Sequence, residues 1–146
     1  MGLAEVVRIE EATDKILELT RDKVHKPVMV GVYGVPNHGK TYFTLQFMRE
    51  AETKGKLVAY SNGPEDLRFF SRANYYLVNF PLSNPTSIFN LTSATRQLKG
   101  QIGRGYDLHI AVVNPRMHNI DMDACKALYD LVVLNPDSKV KLPRPL

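Results

Sequence analysis

Apolar positions along the chain switch between helical spacing and short continuous runs. Helical spacing near the start predicts an amphipathic first helix from about residue 4 to 22. Four further helices are predicted, at 39–53, 64–73, 88–102 and 121–129. Continuous apolar runs predict strands at 28–33, 56–61, 108–113 and 131–134, and residues 75–80 are either a fifth strand or an extended segment.

Strands that alternate with helices build parallel sheets that carry helices on both faces. The pattern therefore predicts an α/β fold of three layers with a mostly parallel sheet. The chain has 146 residues, which suits a single domain, here expected at 1–140 with an extended tail at 141–146. Gly100, Gly103 and Gly105 are expected to break the helix at 88–102.

Residues 34–41 carry the strongest chemical signal, because they fit the phosphate-binding pattern G-x-x-x-x-G-K-S/T between a predicted strand and a predicted helix. Successive N–H groups of such a loop surround phosphates, and the helix N-terminus adds its positive end. Lys40 is expected at the β- and γ-phosphates, and the Thr41 hydroxyl at Mg²⁺. The pattern predicts a P-loop NTPase fold that binds ATP or GTP with Mg²⁺. The expected nucleotide-binding residues are Gly34, Pro36, Asn37, His38, Gly39, Lys40, Thr41 and Tyr42.

Two of these side chains have alternative roles. His38 can contact a phosphate or face solvent, and solvent is favoured because only the backbone of the loop is required for binding. Tyr42 can stack near the base or pack on the helix surface.

The stretch 30–41 resembles the opening of uridine-kinase-like P-loop kinases, which include phosphoribulokinase, uridine kinase and pantothenate kinase. Segments at 79–90, 99–100, 106–107 and 128–138 are similar to later motifs of that family in the same order. The resemblance implies a small-molecule kinase that transfers a phosphoryl group to a small-molecule acceptor, which the chain does not identify.

The chain departs from such kinases where acids are expected. A P-loop kinase needs a carboxylate at the end of a neighbouring strand, to hold Mg²⁺ or to accept the proton of the substrate hydroxyl. The strand at 56–61 instead ends at Asn62, and the strand at 108–113 leads to Asn114. Asparagine carries no charge and cannot act as a base. The chain is therefore expected to transfer phosphate weakly or not at all.

The remaining candidate catalytic acids are Glu65, Asp66 and Asp107. Glu65 and Asp66 follow the strand at 56–61, but acids are also common in the first turn of a helix such as the one predicted at 64–73. Asp107 lies at the start of a strand, whereas ligands of open parallel sheets bind at the carboxyl ends. A structural role is therefore favoured for all three.

Two other readings stay open. The stretch 44–67 is also similar to RecA- and KaiC-type ATPases, and that resemblance implies ATP hydrolysis with Glu65 as the base and a homo-oligomeric ring. A nucleotide-binding module without efficient chemistry, acting within a larger assembly, is the other alternative.

Composition excludes several classes of partner. The net charge of +4 is mild and no block of five or six like charges occurs, so no nucleic-acid binding is expected. The single Cys125 cannot form an intrachain disulfide, which favours a reducing compartment. No signal-peptide pattern and no apolar run of about 18 residues is found, so we expect a cytoplasmic protein without membrane contact.

Overall fold

One parallel sheet forms the centre of the fold. The structure is a computed structural model that describes residues 3–24, 26–34, 39–62, 72–81, 88–116 and 121–136. Within these ranges the strands are β1 (Glu5–Arg8), β2 (Val28–Gly34), β3 (Val58–Ser61), β4 (Tyr75–Pro81), β5 (Leu108–Val113) and β6 (Leu131–Leu134). The helices are α1 (Ala12–Leu19), α2 (Lys40–Glu52), α3 (Ile88–Ile102) and α4 (Met122–Leu128), and a short 3-10 turn (Ile9–Glu11) precedes α1.

The strands lie in the order β1-β6-β5-β2-β4-β3, and every neighbouring pair is parallel. This confirms the prediction of an α/β fold with a parallel sheet. The strands predicted at 28–33, 56–61, 108–113 and 131–134 are all present, and residues 75–80 are a full strand. β2 is central and its seven residues are all buried, which explains its unbroken apolar sequence.

Helices cover both faces of the sheet. The 3-10 turn, α1 and α2 pack on one face, around Ile16, Phe43 and Phe47. Helices α3 and α4 pack on the other face, through residues such as Leu98 and Cys125. No helix in the described ranges is long and apolar enough to cross a membrane.

The predicted first helix at 4–22 is wrong in its first half. Residues Glu5–Arg8 form β1, which pairs in parallel with β6 at the edge of the sheet. Val6 packs against the core cluster on one face and Val7 against the cluster on the other, as alternation along a strand requires. Val6 happens to fall at helical spacing from the apolar residues 9, 12 and 16, which is why the helix was predicted to include it. The adjacent β-branched residues Val6 and Val7 favour a strand.

Gly100 does not break α3, contrary to expectation. The helix runs through it to Ile102 and ends at Gly103, which has φ of +79°. Glycine adopts this left-handed conformation without the steric cost that a side chain would bring. The helix predicted at 64–73 falls mostly on residues 63–71, and these and the tail at 141–146 lie outside the described residues.

Tyr33, the residue before the end of β2, lies flat across Gly31 of the same strand. Its ring stacks on Phe80 at 4.9 Å between centroids, and its hydroxyl is hydrogen-bonded to His109 Nδ1 at 3.0 Å. Burial raises the pKa of Tyr33 and lowers the pKa of His109, so both groups are neutral at pH 7. A Cβ atom on Gly31 would lie 2.8 Å from the Tyr33 ring, so only glycine allows this packing.

We expect Gly31→Ala to destabilise the protein by about 1–3 kcal/mol, because the new methyl group would displace a buried ring. The matched control is Gly100→Ala, where nothing lies within 4 Å of the added Cβ and the helix should gain about 0.5–1 kcal/mol. Denaturant unfolding of both variants measures the two changes. Equal stability of Gly31→Ala and the wild type would contradict the packing described for Tyr33.

Candidate functional site

The carboxyl edge of the sheet brings the two ends of the 34–41 loop together. β2 ends at Gly34, and α2 begins at Lys40. A Cβ atom on Gly34 would lie 3.4 Å from Lys40 Cβ and 3.0 Å from the carbonyl oxygen of Val112 in β5. The chain therefore leaves β2 and returns beside its own end within a few residues, and this close return needs a glycine at position 34.

The first turn of α2 follows a glycine rather than a capping side chain. Gly39 has φ of +97° and lies directly before the helix, and as a glycine it offers no side chain to cap the first N–H groups of α2. The Gly39 carbonyl accepts the N–H of Phe43 at 2.8 Å and so begins the helical ladder. The first N–H groups of a helix have no partner within it, and they favour an anion.

Lys40 contributes a positive charge at this position. Its side chain is partly buried, and burial lowers the pKa of Lys40. No ion pair joins it to a carboxylate in the described part of the chain. The neighbouring Thr41 is exposed, so its hydroxyl is open to solvent and to a ligand. Lys40 is thus a partly desolvated cation to which an anion would be the natural partner.

The strands on either side of β2 carry asparagines at or near their carboxyl ends. Asn79 belongs to β4 and Asn114 follows β5, and both are buried. The Thr44 hydroxyl of α2 lies 3.1 Å from Asn79 Oδ1 and 3.0 Å from the Lys40 carbonyl oxygen. Asn114 Oδ1 accepts the N–H of Arg116 at 3.0 Å. Neutral amides therefore occupy the strand ends at which a P-loop enzyme would be expected to carry carboxylates.

Asn62 does not belong to this group, although the sequence analysis placed it at the end of a neighbouring strand. β4 lies between β3 and β2, so the end of β3 is two strand spacings, about 10 Å, from β2. Asn62 is also exposed. The residue that the sequence analysis missed is Asn79, and its signal was a polar side chain inside the apolar run of residues 75–80.

Asp107 lies at the opposite edge of the sheet. Its Oδ2 accepts the N–H of Met29 at 2.8 Å and forms an ion pair with Arg104 at 3.1 Å. These contacts tie the start of β5 to the start of β2, about 20 Å from Gly34 along the strand. This position argues against a catalytic role for Asp107 and favours the structural one.

The other candidate residues are placed as follows. Tyr42 is buried in the core between α2 and the sheet, which is a packing position. Glu65, Asp66, Pro36, Asn37 and His38 lie outside the described residues. Within the described ranges, no group of three or more His, Cys, Asp or Glu side chains could hold a metal ion.

Comparisons of the chain with protein-family models, with curated proteins and with solved structures give no match. The function is therefore inferred from the chain's own residues.

We expect Lys40→Met to raise the melting temperature of the ligand-free protein, because the substitution removes a partly buried charge that pairs with no carboxylate among the described residues. Lys99→Met, at an exposed position on α3, is the control and should change the melting temperature less. Thermal unfolding followed by circular dichroism measures both. A lower melting temperature for Lys40→Met than for its control would mean that the ammonium group has a stabilising partner.

Proposed function

We propose that the chain binds a nucleoside triphosphate, ATP or GTP, at the carboxyl edge of a P-loop fold. The observation that carries this proposal is the contact between Gly34 and Lys40, which brings the lysine of the 34–41 motif over the end of the central strand. The motif alone has some false positives, but here it joins a central parallel strand to a helix, which is the context it requires.

In this proposal the phosphates provide what the site lacks. Their charge compensates Lys40, and their oxygens accept hydrogen bonds from the N–H groups at the start of α2, which the Gly39 cap leaves without a capping side chain. Mg²⁺ would be held by Thr41, by the phosphates and by water, because Asn79 and Asn114 offer neutral oxygens only. Nucleotide affinity should therefore depend only modestly on the metal.

We further propose that phosphoryl transfer, if present, is slow. Neither Asn79 nor Asn114 can accept the proton of an attacking hydroxyl, and both amides already have hydrogen-bonding partners. Turnover should lie well below the roughly 1–100 s⁻¹ typical of kinases.

A free, buried Cys125 fits a reducing location, and a cytoplasmic site of action belongs to the same proposal.

Nucleotide binding should raise the melting temperature of the wild-type protein, since a ligand at 100 times its Kd adds about 2.7 kcal/mol of stability. Lys40→Ala should abolish most of that shift. Lys99→Ala removes the same charge from the opposite face of the sheet, and this control variant should keep the shift in melting temperature. Thermal unfolding with ATP, GTP and ADP, each with and without Mg²⁺, measures the effect. Absence of any shift at millimolar nucleotide would refute the proposal.

A carboxylate introduced at a strand end tests whether the neutral asparagines weaken Mg²⁺-dependent nucleotide binding. Asn114→Asp should tighten Mg²⁺-dependent nucleotide binding, because it places a charge at the end of a strand that neighbours β2. Without ligand it should destabilise the protein, since position 114 is fully buried. Asn62→Asp, exposed beside the edge strand, is the matched control and should do neither.

A hydrolysis and transfer time course separates the remaining readings. A wild-type rate within the kinase range would show that an acid outside the described residues, Glu65 or Asp66, supplies the missing charge. Loss of that rate in Glu65→Gln together with ring-shaped oligomers would favour the RecA-type ATPase. A rate near zero with tight binding would favour the module without chemistry.

A further inference from the structure

A second positively charged site lies at the amino edge of the sheet, away from the 34–41 loop. It is a pocket of about 210 Å³ between the end of α1, the end of α2 and the starts of β2 and β4. Five basic side chains line it, and they come from two separate parts of the sequence, 21–26 and 54–56: Arg21, Lys23, Lys26, Lys54 and Lys56.

Little negative charge balances these groups. Lys54 pairs with Asp14 at 3.3 Å, in an exposed ion pair. The other four cations form no ion pair with any residue that the structure describes. None of the described residues that line the pocket is a carboxylate. Cations are usually dispersed among acids on a protein surface, so this concentration favours an anionic ligand.

The floor of the pocket also presents a donor. Asn74 Oδ1 accepts the N–H of Leu57 at 2.7 Å, so the amide nitrogen is the group that Asn74 has left to offer. Beside it, the Thr20 hydroxyl donates to the Ile16 carbonyl at 2.7 Å, and the Tyr75 hydroxyl lies 2.6 Å from Thr20 Oγ1. These buried bonds hold this side of the pocket in a fixed geometry.

Size and position limit the ligand. Small-molecule pockets usually measure about 300–1,000 Å³, so a pocket of about 210 Å³ suits one or two phosphate groups better than a whole nucleotide. The pocket borders Val28, at the other end of β2 from Gly34, about 20 Å away. A group bound here cannot receive a phosphoryl group from a nucleotide bound at the loop.

We propose that this pocket is a second anion site, which binds a compact group of two linked phosphates such as inorganic pyrophosphate or the diphosphate end of a small metabolite. The four cations that pair with no described carboxylate would share four phosphate oxygens or more, and the Asn74 amide would donate one further hydrogen bond. This proposal is independent of the one for the loop, because no residue is common to both sites.

The experiment uses the full-length chain carrying Lys40→Ala, so that pyrophosphate cannot bind through the loop lysine. Isothermal titration with inorganic pyrophosphate should show one site per chain. Adding Lys26→Gln and Lys56→Gln should weaken binding at least tenfold, the effect of about 1.4 kcal/mol of lost charged hydrogen bonds. Adding Arg96→Gln and Lys99→Gln instead removes the same charge from α3 and should change the affinity less than about twofold.

Other outcomes would overturn the proposal. No binding of pyrophosphate, or equal weakening in both double variants, would show that the cations act only as diffuse surface charge. Circular dichroism checks that the variants fold, and Arg21→Gln with Lys23→Gln provides a second test of the same pocket.

Titration with a single-stranded oligonucleotide tests whether the phosphates that bind here are those of a nucleic acid. Tight oligonucleotide binding with a steep salt dependence, without competition by pyrophosphate, would make the surface a nucleic-acid interface. If ATP did not raise the melting temperature of the wild-type protein, the proposal for the 34–41 loop would fail. The proposal for this pocket would still stand, because it is tested by pyrophosphate titration of the Lys40→Ala protein.

Discussion

The pairing of β2 with β4 on one side and with β5 on the other fixes the position of both edges of the molecule. All seven residues of β2 have register partners in β4, and four also have partners in β5. Because every neighbouring pair is parallel, the carboxyl ends of the strands meet at one edge and the amino ends at the other. The loop lysine and the strand-end asparagines therefore share one edge, while Asp107 and the basic pocket lie at the opposite one.

The buried asparagines explain how the carboxyl edge is stable without a bound cation. A carboxylate at the position of Asn114 would need a counter-charge, whereas the amide oxygen is satisfied by the backbone N–H of Arg116. Asn79 likewise meets a hydroxyl, that of Thr44. Because the groups at these strand ends are neutral, they offer Lys40 no carboxylate partner, and a partly buried cation in such surroundings favours an anion.

Sequence patterns predicted the central part of the fold well, because β2, β5 and β6 are covered on both faces and show as unbroken apolar runs. β1 was missed because one turn of coincidental helical spacing joined it to α1, and its partner β6 lies far along the chain. The order of strands leaves no local trace either, which is why Asn62 was taken for a neighbour of the loop and Asn79 was overlooked. The basic pocket could not be predicted from local sequence patterns either. Its cations are separated in sequence, and only the ends of two helices bring them together.

The pairing of β1 with β6 links residues that are 126 positions apart, as in the partners Glu5 and Leu131. At a synthesis rate of about 5–20 residues per second, the ribosome needs about 6–25 s between making these two segments. For that interval β1 has no β6 beside it, and the hydrogen bond from the Ala4 N–H to the Lys126 carbonyl cannot form. Of the six strands that the structure describes, β1 is the one whose partner is synthesised latest after it, and until then Val6 and Val7 cannot pack into the two core clusters. Completion of the sheet at this edge therefore depends on the last of these strands to be synthesised, β6.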